Sequence, residues 1–300
     1  MSSRHYLVSG QQLTAPRAAP GLSLVATPIG NLGDITIRAL ETLAGVDAIA
    51  CEDTRMTRRL LDRYGISTPL TPYHEHNAAQ ARPKLLARLA EGASIALVSD
   101  AGTPLISDPG YKLAREASAA GFPVTALPGP SAVLAALSLA AQPTDRFFFE
   151  GFLPPKQAAR RARIAELRAV PATLVLFETG PRLADTLTDL GEGLGPREAA
   201  ICRELTKLHE EITRGELPDL AAREHETRGE FVLVIGPPPR DADRLDDDAI
   251  DRLLVEALAA RSLRDAVAEV VEASGRPKRE IYARALELAR ETDGGGDGEG

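Results

Sequence analysis

Short apolar runs alternate with segments of helical periodicity through the first half of the chain. Leu22–Ala26 reads as a strand and Thr36–Leu43 as the helix after it. Ala48–Cys51 is a short strand, followed by a helix over Thr54–Tyr64. Ala78–Glu91 predicts a helix leading into the buried strand Ile95–Val98. Tyr111–Ala120 predicts a helix, Val124–Leu127 a strand and Ser131–Ala141 a further helix. Strand and helix in alternation imply an α/β protein with a mainly parallel sheet, because each parallel return needs a crossover.

The texture changes at Phe147-Phe148-Phe149-Glu150-Gly151-Phe152-Leu153-Pro154-Pro155. Three consecutive Phe and then paired Pro suggest a hinge or a crossing between domains. Beyond it the pattern reads helix Lys156–Arg168, strand Ala172–Phe177, helix Arg182–Leu190 and strand Ala199–Arg203. A charged segment, helix Pro218–His225 and strand Phe231–Ile235 complete a second α/β domain with a mixed sheet. The expected division is a loose extension over 1–20, an α/β domain over 21–145 and a second over 146–237. An acidic linker over 238–252, a small helical domain over 253–290 and a flexible Gly-rich tail over 291–300 follow.

Composition narrows the class. Three hundred residues, 44% hydrophobic and 26% charged, suit a soluble two-domain protein. No apolar run approaches the ~18 residues of a membrane span, and residues 1–20 lack the apolar core of a secretory signal. Cys51 and Cys202 stand apart with no CxxC, which argues against a disulfide scaffold or structural zinc. Cytoplasm is the default compartment. The net charge of −8 argues mildly against nucleic acid, but residues 237–300 alone contribute −6. Local basic clusters can still bind phosphate, since exposed charges act only within ~8–10 Å.

The densest chemical signal is Ser99-Asp100-Ala101-Gly102-Thr103-Pro104-Leu105-Ile106-Ser107-Asp108-Pro109-Gly110, directly after the strand Ile95–Val98. Open α/β sheets bind ligands at this carboxyl edge. Three further segments fall at the same edge. Thr27-Pro28-Ile29-Gly30 is either a tight turn or a nucleoside-binding loop; it lacks GxGxxG, and Pro28 removes a donor a pyrophosphate would use. Glu52-Asp53-Thr54-Arg55 opens a helix with Asp53 as N-cap or as a functional group. Pro128-Gly129-Pro130-Ser131 leads into a helix that Ser131 can cap.

Tyr73-His74-Glu75-His76-Asn77 is rich in donors and acceptors. It reads as a substrate-facing polar loop or as a cap by Asn77; His74 and His76 lack an obvious third metal ligand. Arg55, Arg58, Arg59 and Arg63 share a helical face. Lys156, Arg160, Arg161, Arg163 and Arg168 form a stronger cluster after the Phe-rich segment. Each face is either solvated or a set of phosphate contacts. Arg203–Gly215 mixes both signs of charge, as a sugar-orienting segment or an ion-paired loop. Residues 266–288 have a helix–turn–helix look, with Arg276, Lys278, Arg279 and Arg284 on the second helix. A packing or RNA-contacting appendage suits so short a piece.

Taken in order, VATPIGNLGDIT, CEDTR, YHEHN, SDAGTPLISDPG, PGPSAV, FEGFLPPK, CRELTKLHEEITRG and GEFVLVIG resemble one family. The chain closely resembles the bacterial 16S ribosomal RNA (cytidine-2′-O)-methyltransferases of the tetrapyrrole methylase superfamily, over about residues 21–290. Asp100 matches the superfamily's Gly-Asp-Pro cofactor loop, while Ser99 replaces its Gly and the Pro is displaced. The resemblance implies a two-domain fold, S-adenosylmethionine in the cleft, a homodimer, and a cytidine of 16S rRNA in the small ribosomal subunit as target. The cofactor residues it implies are Pro28, Ser99, Asp100, Ala101, Gly102, Thr103, Leu105, Pro128, Ser131 and Phe177. Arg55, Arg59, Lys156, Arg160, Arg161 and Arg203 are its RNA-binding candidates. A ribose hydroxyl is a poor nucleophile and needs a base; Glu75, Lys207 and Glu210 are the candidates, with no metal required. A precorrin-type small-molecule methyltransferase and a non-enzymatic RNA-binding protein are the competing readings.

Overall fold

The structure, a computed structural model, describes residues 4–239, 247–274 and 276–294. Two compact units emerge, Met1–Pro237 and Pro238–Gly300.

The first unit opens with strands β1 (His5–Val8) and β2 (Gln11–Thr14), paired antiparallel as a hairpin. Ser9 and Gly10 take φ of 50° and 79°, the paired left-handed conformation of a tight hairpin turn. Tyr6 and Ala15 are buried in the main core. This part of the expected loose extension is therefore an ordered cover on the domain.

A five-stranded sheet follows, built from β3 (Gly21–Val25), β4 (Ala48–Cys51), β5 (Leu70–Pro72), β6 (Ser94–Val98) and β7 (Val124–Leu127). Its order is β5-β4-β6-β3-β7, and every pairing is parallel. Central strands β4 and β6 are buried along their whole length, as strands covered on both faces must be. Helices α1 (Ile37–Gly45) and α2 (Thr54–Arg63) pack on one face with the hairpin. Helices α3 (Ala78–Ala90) and α4 (Tyr111–Ala119) cover the other. Capping fixes where the helices begin: Thr36 accepts from the Ala39 amide at 3.1 Å and Asp53 from the Arg55 amide at 2.8 Å. Asn77 stands at the start of α3 but does not cap it. Its side chain turns back to accept from the His74 amide and to donate to the Pro72 carbonyl.

Helix α5 (Ala132–Leu139), capped by Ser131, packs on the second sheet through Val133, Ala136 and Leu137. That sheet comprises β8 (Phe147–Phe152), β9 (Thr173–Thr179), β10 (Glu198–Arg203), β11 (Glu211–Glu216) and β12 (Glu230–Ile235). Its order is β11-β10-β12-β9-β8, with β8 and β9 parallel and the rest antiparallel. The opposite face carries α6 (Gln157–Leu167), α7 (Gly180–Leu194) and α8 (Leu217–Ala221). The Phe-rich segment is thus an edge strand rather than a hinge, and the charged segment supplies the other edge. Charges at Glu211, Arg214 and Glu216 are compatible with an edge, where one side of the strand has no partner. Helix α8 stops short of His225, whose ring nitrogen Nε2 instead pairs with the Leu220 carbonyl at 2.7 Å.

The second unit holds α9 (Asp247–Ala260), α10 (Leu263–Ser274) and α11 (Lys278–Gly294) around Ile250, Leu254, Val267, Val270 and Ile281. The end of the expected linker, from Asp247, is already helical; residues 240–246 and 295–300 lie outside the described residues. Arg276 pairs with Asp247 and Glu280, and Arg284 with Asp251 and Glu287. Two of the four basic groups noted on the second helix and its approach are therefore neutralised within the unit.

Candidate active site

Four loops leave the carboxyl ends of β3, β4, β6 and β7 at one edge of the first sheet and are stitched together. Thr27 and Gly102 exchange both backbone hydrogen bonds at 2.9 Å, an isolated bridge between the first and third loops. The Thr27 hydroxyl donates to the Ser99 carbonyl at 3.1 Å, and the Thr103 hydroxyl to the Pro130 carbonyl at 3.2 Å. Asp100 Oδ1 accepts the Asp53 amide at 2.9 Å. Within the Ser99–Gly110 loop, Leu105 and Ser107 hold φ of 74° and 61°. A left-handed conformation at two side-chain-bearing residues costs on the order of 1 kcal/mol or more each, so surrounding contacts must enforce it.

The second sheet faces this edge with the ends of β9 and β10 and the start of β12, which its register aligns. The loop after β10 is also left-handed at Glu204 and Thr206, with φ of 49° and 67°. It reaches across: the Thr206 hydroxyl accepts from the Asn31 amide at 3.2 Å, and the Lys207 stem crosses Gly30. Lys207 Nζ donates to Glu204 at 2.8 Å and Glu230 at 2.7 Å. Burial opposes its charge, but the two carboxylates outweigh burial and hold its pKa above the usual lysine value.

Two cavities share this cleft. The first, of about 270 Å³, is mainly apolar, with Ile29, Val133, Phe177, Leu205 and Val232 on its walls. Polar groups on its lining include Thr103, Asp108, Ser131, Glu178 and Glu230. Phe177 is fixed edge-on between Phe149 and Phe152, at centroid distances of 4.9 and 5.6 Å. The second, of about 400 Å³, runs between Pro28–Gly30, Met56–Leu60 and Ser99–Ala101, with Lys207 and Glu230 at its side. Ile29, Ala101 and Glu230 belong to both walls, so the cavities adjoin.

Burial, followed by the charge of Glu52, pushes the Asp108 carboxyl up to about 6, against a hydrogen bond from Ser99. Burial and the Asp100 charge likewise raise Glu52. Asp53 goes the other way, to about 2, because Arg55 and its own amide bind the carboxylate.

The expected cofactor residues divide between the cavities. Ala101, Gly102, Thr103, Ser131 and Phe177 line the first; Pro28, Ser99, Asp100 and again Ala101 line the second. Leu105 and Pro128 line neither. The Leu105 side chain closes on Gly110, and Pro128 precedes Gly129, where a β-carbon would stand 3.0 Å from the Ala26 β-carbon.

The three candidate bases fare poorly. Lys207 is held as an ammonium ion, the reverse of what a base requires. Glu210 accepts the Thr206 amide at 2.7 Å and braces its own loop. Glu75 is exposed in the turn before α3 and lines neither cavity. Asp108 and Glu230 escaped the sequence reading; Asp108 lay inside the loop singled out, but only burial distinguishes it from its neighbours.

The basic candidates also separate. Arg160 is 3% exposed and donates to Asp189 at 2.6 Å, while Arg161 takes the other oxygen at 2.7 Å. Arg160 is thus a structural ion and not a phosphate contact, because its guanidinium faces the core. Arg163 grips Glu150, and exposed Arg161 pairs with Asp189 and Glu192, leaving Lys156 and Arg168 as the exposed members of that cluster with no ion pair among the described residues. Arg203 donates to the Arg228 carbonyl, and Arg55 to Asp53. Arg59 is exposed, lines the second cavity and has no ion-pair partner among the described residues.

Comparison with known proteins matches residues 21–221 to the Tetrapyrrole (Corrin/Porphyrin) Methylases, and residues 244–289 to the RsmI C-terminal HTH domain. Ribosomal RNA small subunit methyltransferase I of Mesorhizobium japonicum is 51% identical, covering 97% of this chain and 100% of the relative. The protein of the same name from Escherichia coli O157:H7 is 46% identical, over 92% and 98%. Among solved structures, uroporphyrin-III-C-methyltransferase from Thermus thermophilus shares the fold at a TM-score of 0.53 and 21% identity, over 72% of this chain and 94% of that one. A structure of that enzyme complexed with S-adenyl homocysteine aligns at a TM-score of 0.51 and 18% identity, over 72% and 97%. Near full-length identity to the ribosomal RNA enzymes, on a fold shared with tetrapyrrole methylases, leads to one assignment: the chain belongs to the ribosomal RNA small subunit methyltransferase I family and is an rRNA methyltransferase.

Proposed function

We propose that the enzyme methylates the ribose 2′ oxygen of a cytidine in 16S rRNA of the small ribosomal subunit, using S-adenosylmethionine, as a cytoplasmic homodimer. The observation that carries this reading is the pair of adjoining cavities with a common wall at Ile29, Ala101 and Glu230. A transfer between two bound molecules needs two such sites meeting at the reacting atoms.

The first cavity suits the cofactor. Its apolar walls match an adenosine and a thioether-like chain, and a few polar groups at Thr103 and Ser131 can orient them, as in most small-molecule sites. Gly102 holds φ of 79°, and a β-carbon there would stand 3.3 Å from Ile29, on the same wall. When bound, S-adenosylmethionine supplies an electrophilic methyl group on its sulfonium sulfur.

The chain must hold the 2′ hydroxyl in line with that methyl group and accept the proton as the oxygen attacks. Among the carboxylates on the two walls, Asp108 suits proton transfer: its raised pKa makes it a better proton acceptor while leaving it largely ionised at neutral pH. Asp108 lines the first cavity together with Ala101, which belongs to both walls. Arg59, Lys156 and Arg168 are the exposed cations left to meet the RNA backbone. Ion-paired Arg55, Arg161 and Arg203 have weaker claims as phosphate contacts.

Calorimetric titration with S-adenosylmethionine tests the cofactor assignment. We expect one site per chain, weakened at least about tenfold by Phe177→Asp and unchanged by Arg59→Ala. Absence of binding, or a loss caused by Arg59→Ala instead, would refute it.

A further inference from the structure

Two apolar side chains on the lining of the second cavity stand open to solvent. Thr27, Ile29, Thr57, Leu60 and Ser99 on that lining are 9% exposed or less, whereas Leu32 and Met56 are 41% and 47% exposed. The wall thus grades from a buried floor to an open rim, and the rim is apolar. Neither Leu32 nor Met56 belongs to a hydrophobic core cluster. Single exposed apolar residues are ordinary, but two on the rim of one cavity are not. Their backbone is also firmly held. Leu32 opens a short 3₁₀ turn, Leu32–Asp34, capped by Asn31, whose side chain accepts the Gly33 amide at 3.0 Å. The Tyr64 hydroxyl, at the end of α2, donates to the Leu32 carbonyl at 2.7 Å, and the Asn31 amide donates to the Thr206 hydroxyl at 3.2 Å. Met56 lies in the first turn of α2, whose start is fixed by the Asp53 cap.

Charge identifies the partner. Helix α2 carries four arginines against Asp62 alone. Arg55 is paired with Asp53, but Arg59 lines the same cavity and, like Arg63 one turn on, is exposed with no ion pair among the described residues. Apolar side chains flanked by such cations suit a nucleic-acid strand, with bases on the former and phosphates on the latter. A second copy of the chain would have to bury the same cations. The floor of the cavity is buried, so a ribose still stacked in its strand cannot reach it; the target nucleotide must leave the stack and leave a gap behind. We infer that Leu32 and Met56 form an apolar wedge that packs against the bases flanking the target nucleotide and keeps it turned into the cavity. The inference rests on the proposed ribose methylation and adds what holds the RNA open. Pro28 and Ser99–Ala101 remain cofactor residues.

Leu32→Asn and Met56→Gln keep the shape of each side chain and remove its apolar surface. In the full-length enzyme each should lower kcat/KM on small subunits about fivefold or more, and Met56→Leu should recover most of the loss seen with Met56→Gln. Melting temperature and affinity for S-adenosylmethionine should not move. Small subunits reconstituted with 2-aminopurine on the 3′ side of the position that the wild-type enzyme methylates report the wedge directly. With S-adenosylhomocysteine present to prevent turnover, the wild-type enzyme should brighten the probe, as its base exchanges a stacked neighbour for an aliphatic side chain. The double variant should brighten it less, while the slope of log K against log salt stays unchanged, because no phosphate contact is lost.

A double variant with the wild-type rate overturns the inference. So does one that loses affinity yet brightens the probe fully, which would place the pair against a protein of the subunit. A double variant that sediments at half the wild-type mass would place it between copies of the chain and overturns the inference as well. Failure of the wild-type enzyme to methylate ribose in any subunit would instead overturn the proposed function, and is seen before the variants are compared.

Discussion

Lys207 lies across Gly30: a β-carbon on that glycine would stand 2.5 Å from Lys207 Cγ and 2.8 Å from Cε. The contact joins loops from the two sheets, and the Lys207 ammonium is anchored beyond it on Glu204 and Glu230. With both ends constrained, the stem forms part of the wall of the second cavity. Gly30→Ala should displace it and lower single-turnover methyl transfer about tenfold, while changing stability by no more than ~1 kcal/mol, since the loop is superficial. An unchanged rate would mean that the crossing does not shape the site.

Asp108 gives a prediction with a defined pH window. Burial pushes its carboxyl up to about 6 in the fold, above the 3.8 of an ordinary aspartate, so the folded state favours the protonated form. That contribution to stability is fully present below pH ~4 and lost as pH rises through ~6. Asp108→Asn should therefore be more stable than wild type at pH 8, by about 1–2 kcal/mol after solvent screening, with the difference vanishing near pH 3.5. Single-turnover rates of the wild type should rise through pH ~6 to a plateau. The variant should lose about 100-fold and the inflection with it. Thermal melts from about pH 3.5 to 8, and rates across about two units either side of the inflection, check both.

Arg160 and Asp189 test the division between structural and RNA-binding cations. Asp189 is 1% exposed, and Arg160 and Arg161 hold its carboxyl below the usual range against the effect of burial. Asp189→Ala leaves a buried guanidinium without its counterion and should cost about 3–5 kcal/mol in denaturant melts. For RNA binding, Arg59→Ala should reduce the slope of log K against log salt by about 1, while Arg160→Met should leave it unchanged. Equal effects would return Arg160 to the phosphate contacts.

Much of the fold is legible in the sequence because buried parallel strands are continuous apolar runs. Ala48–Cys51 and Ile95–Val98 could be read directly, and Asp53 and Ser131 cap the helices they precede. Edge strands were harder. Phe147–Phe152 has no clean alternation because only one side is paired, and Glu211–Glu216 looks like an exposed loop because its charges sit at the sheet's rim. The Ser99–Gly110 loop stands out in the sequence by its density of polar and turn residues, but its division between two cavities depends on which way each side chain turns. Charge spacing likewise showed a basic face on α6 yet could not show Asp189 and Glu150 reaching it from other elements.

Gly180 marks a close approach elsewhere in the second sheet region. A β-carbon there would fall on the Thr227 carbonyl oxygen, and backbone on both sides leaves no flexible group to yield. Gly180→Ala should cost about 3 kcal/mol or more, or abolish soluble expression, although glycine is otherwise a poor helix residue. A melting temperature equal to wild type would show that the α7 entrance can shift.

The central claim concerns the chemical product. Small subunits from cells lacking this protein, incubated with the full-length enzyme and methyl-labelled S-adenosylmethionine, should acquire one methyl group, which mass mapping of the 16S rRNA places on the 2′ oxygen of a cytidine. A methyl group on a base, or no incorporation into a competent subunit, would contradict the account.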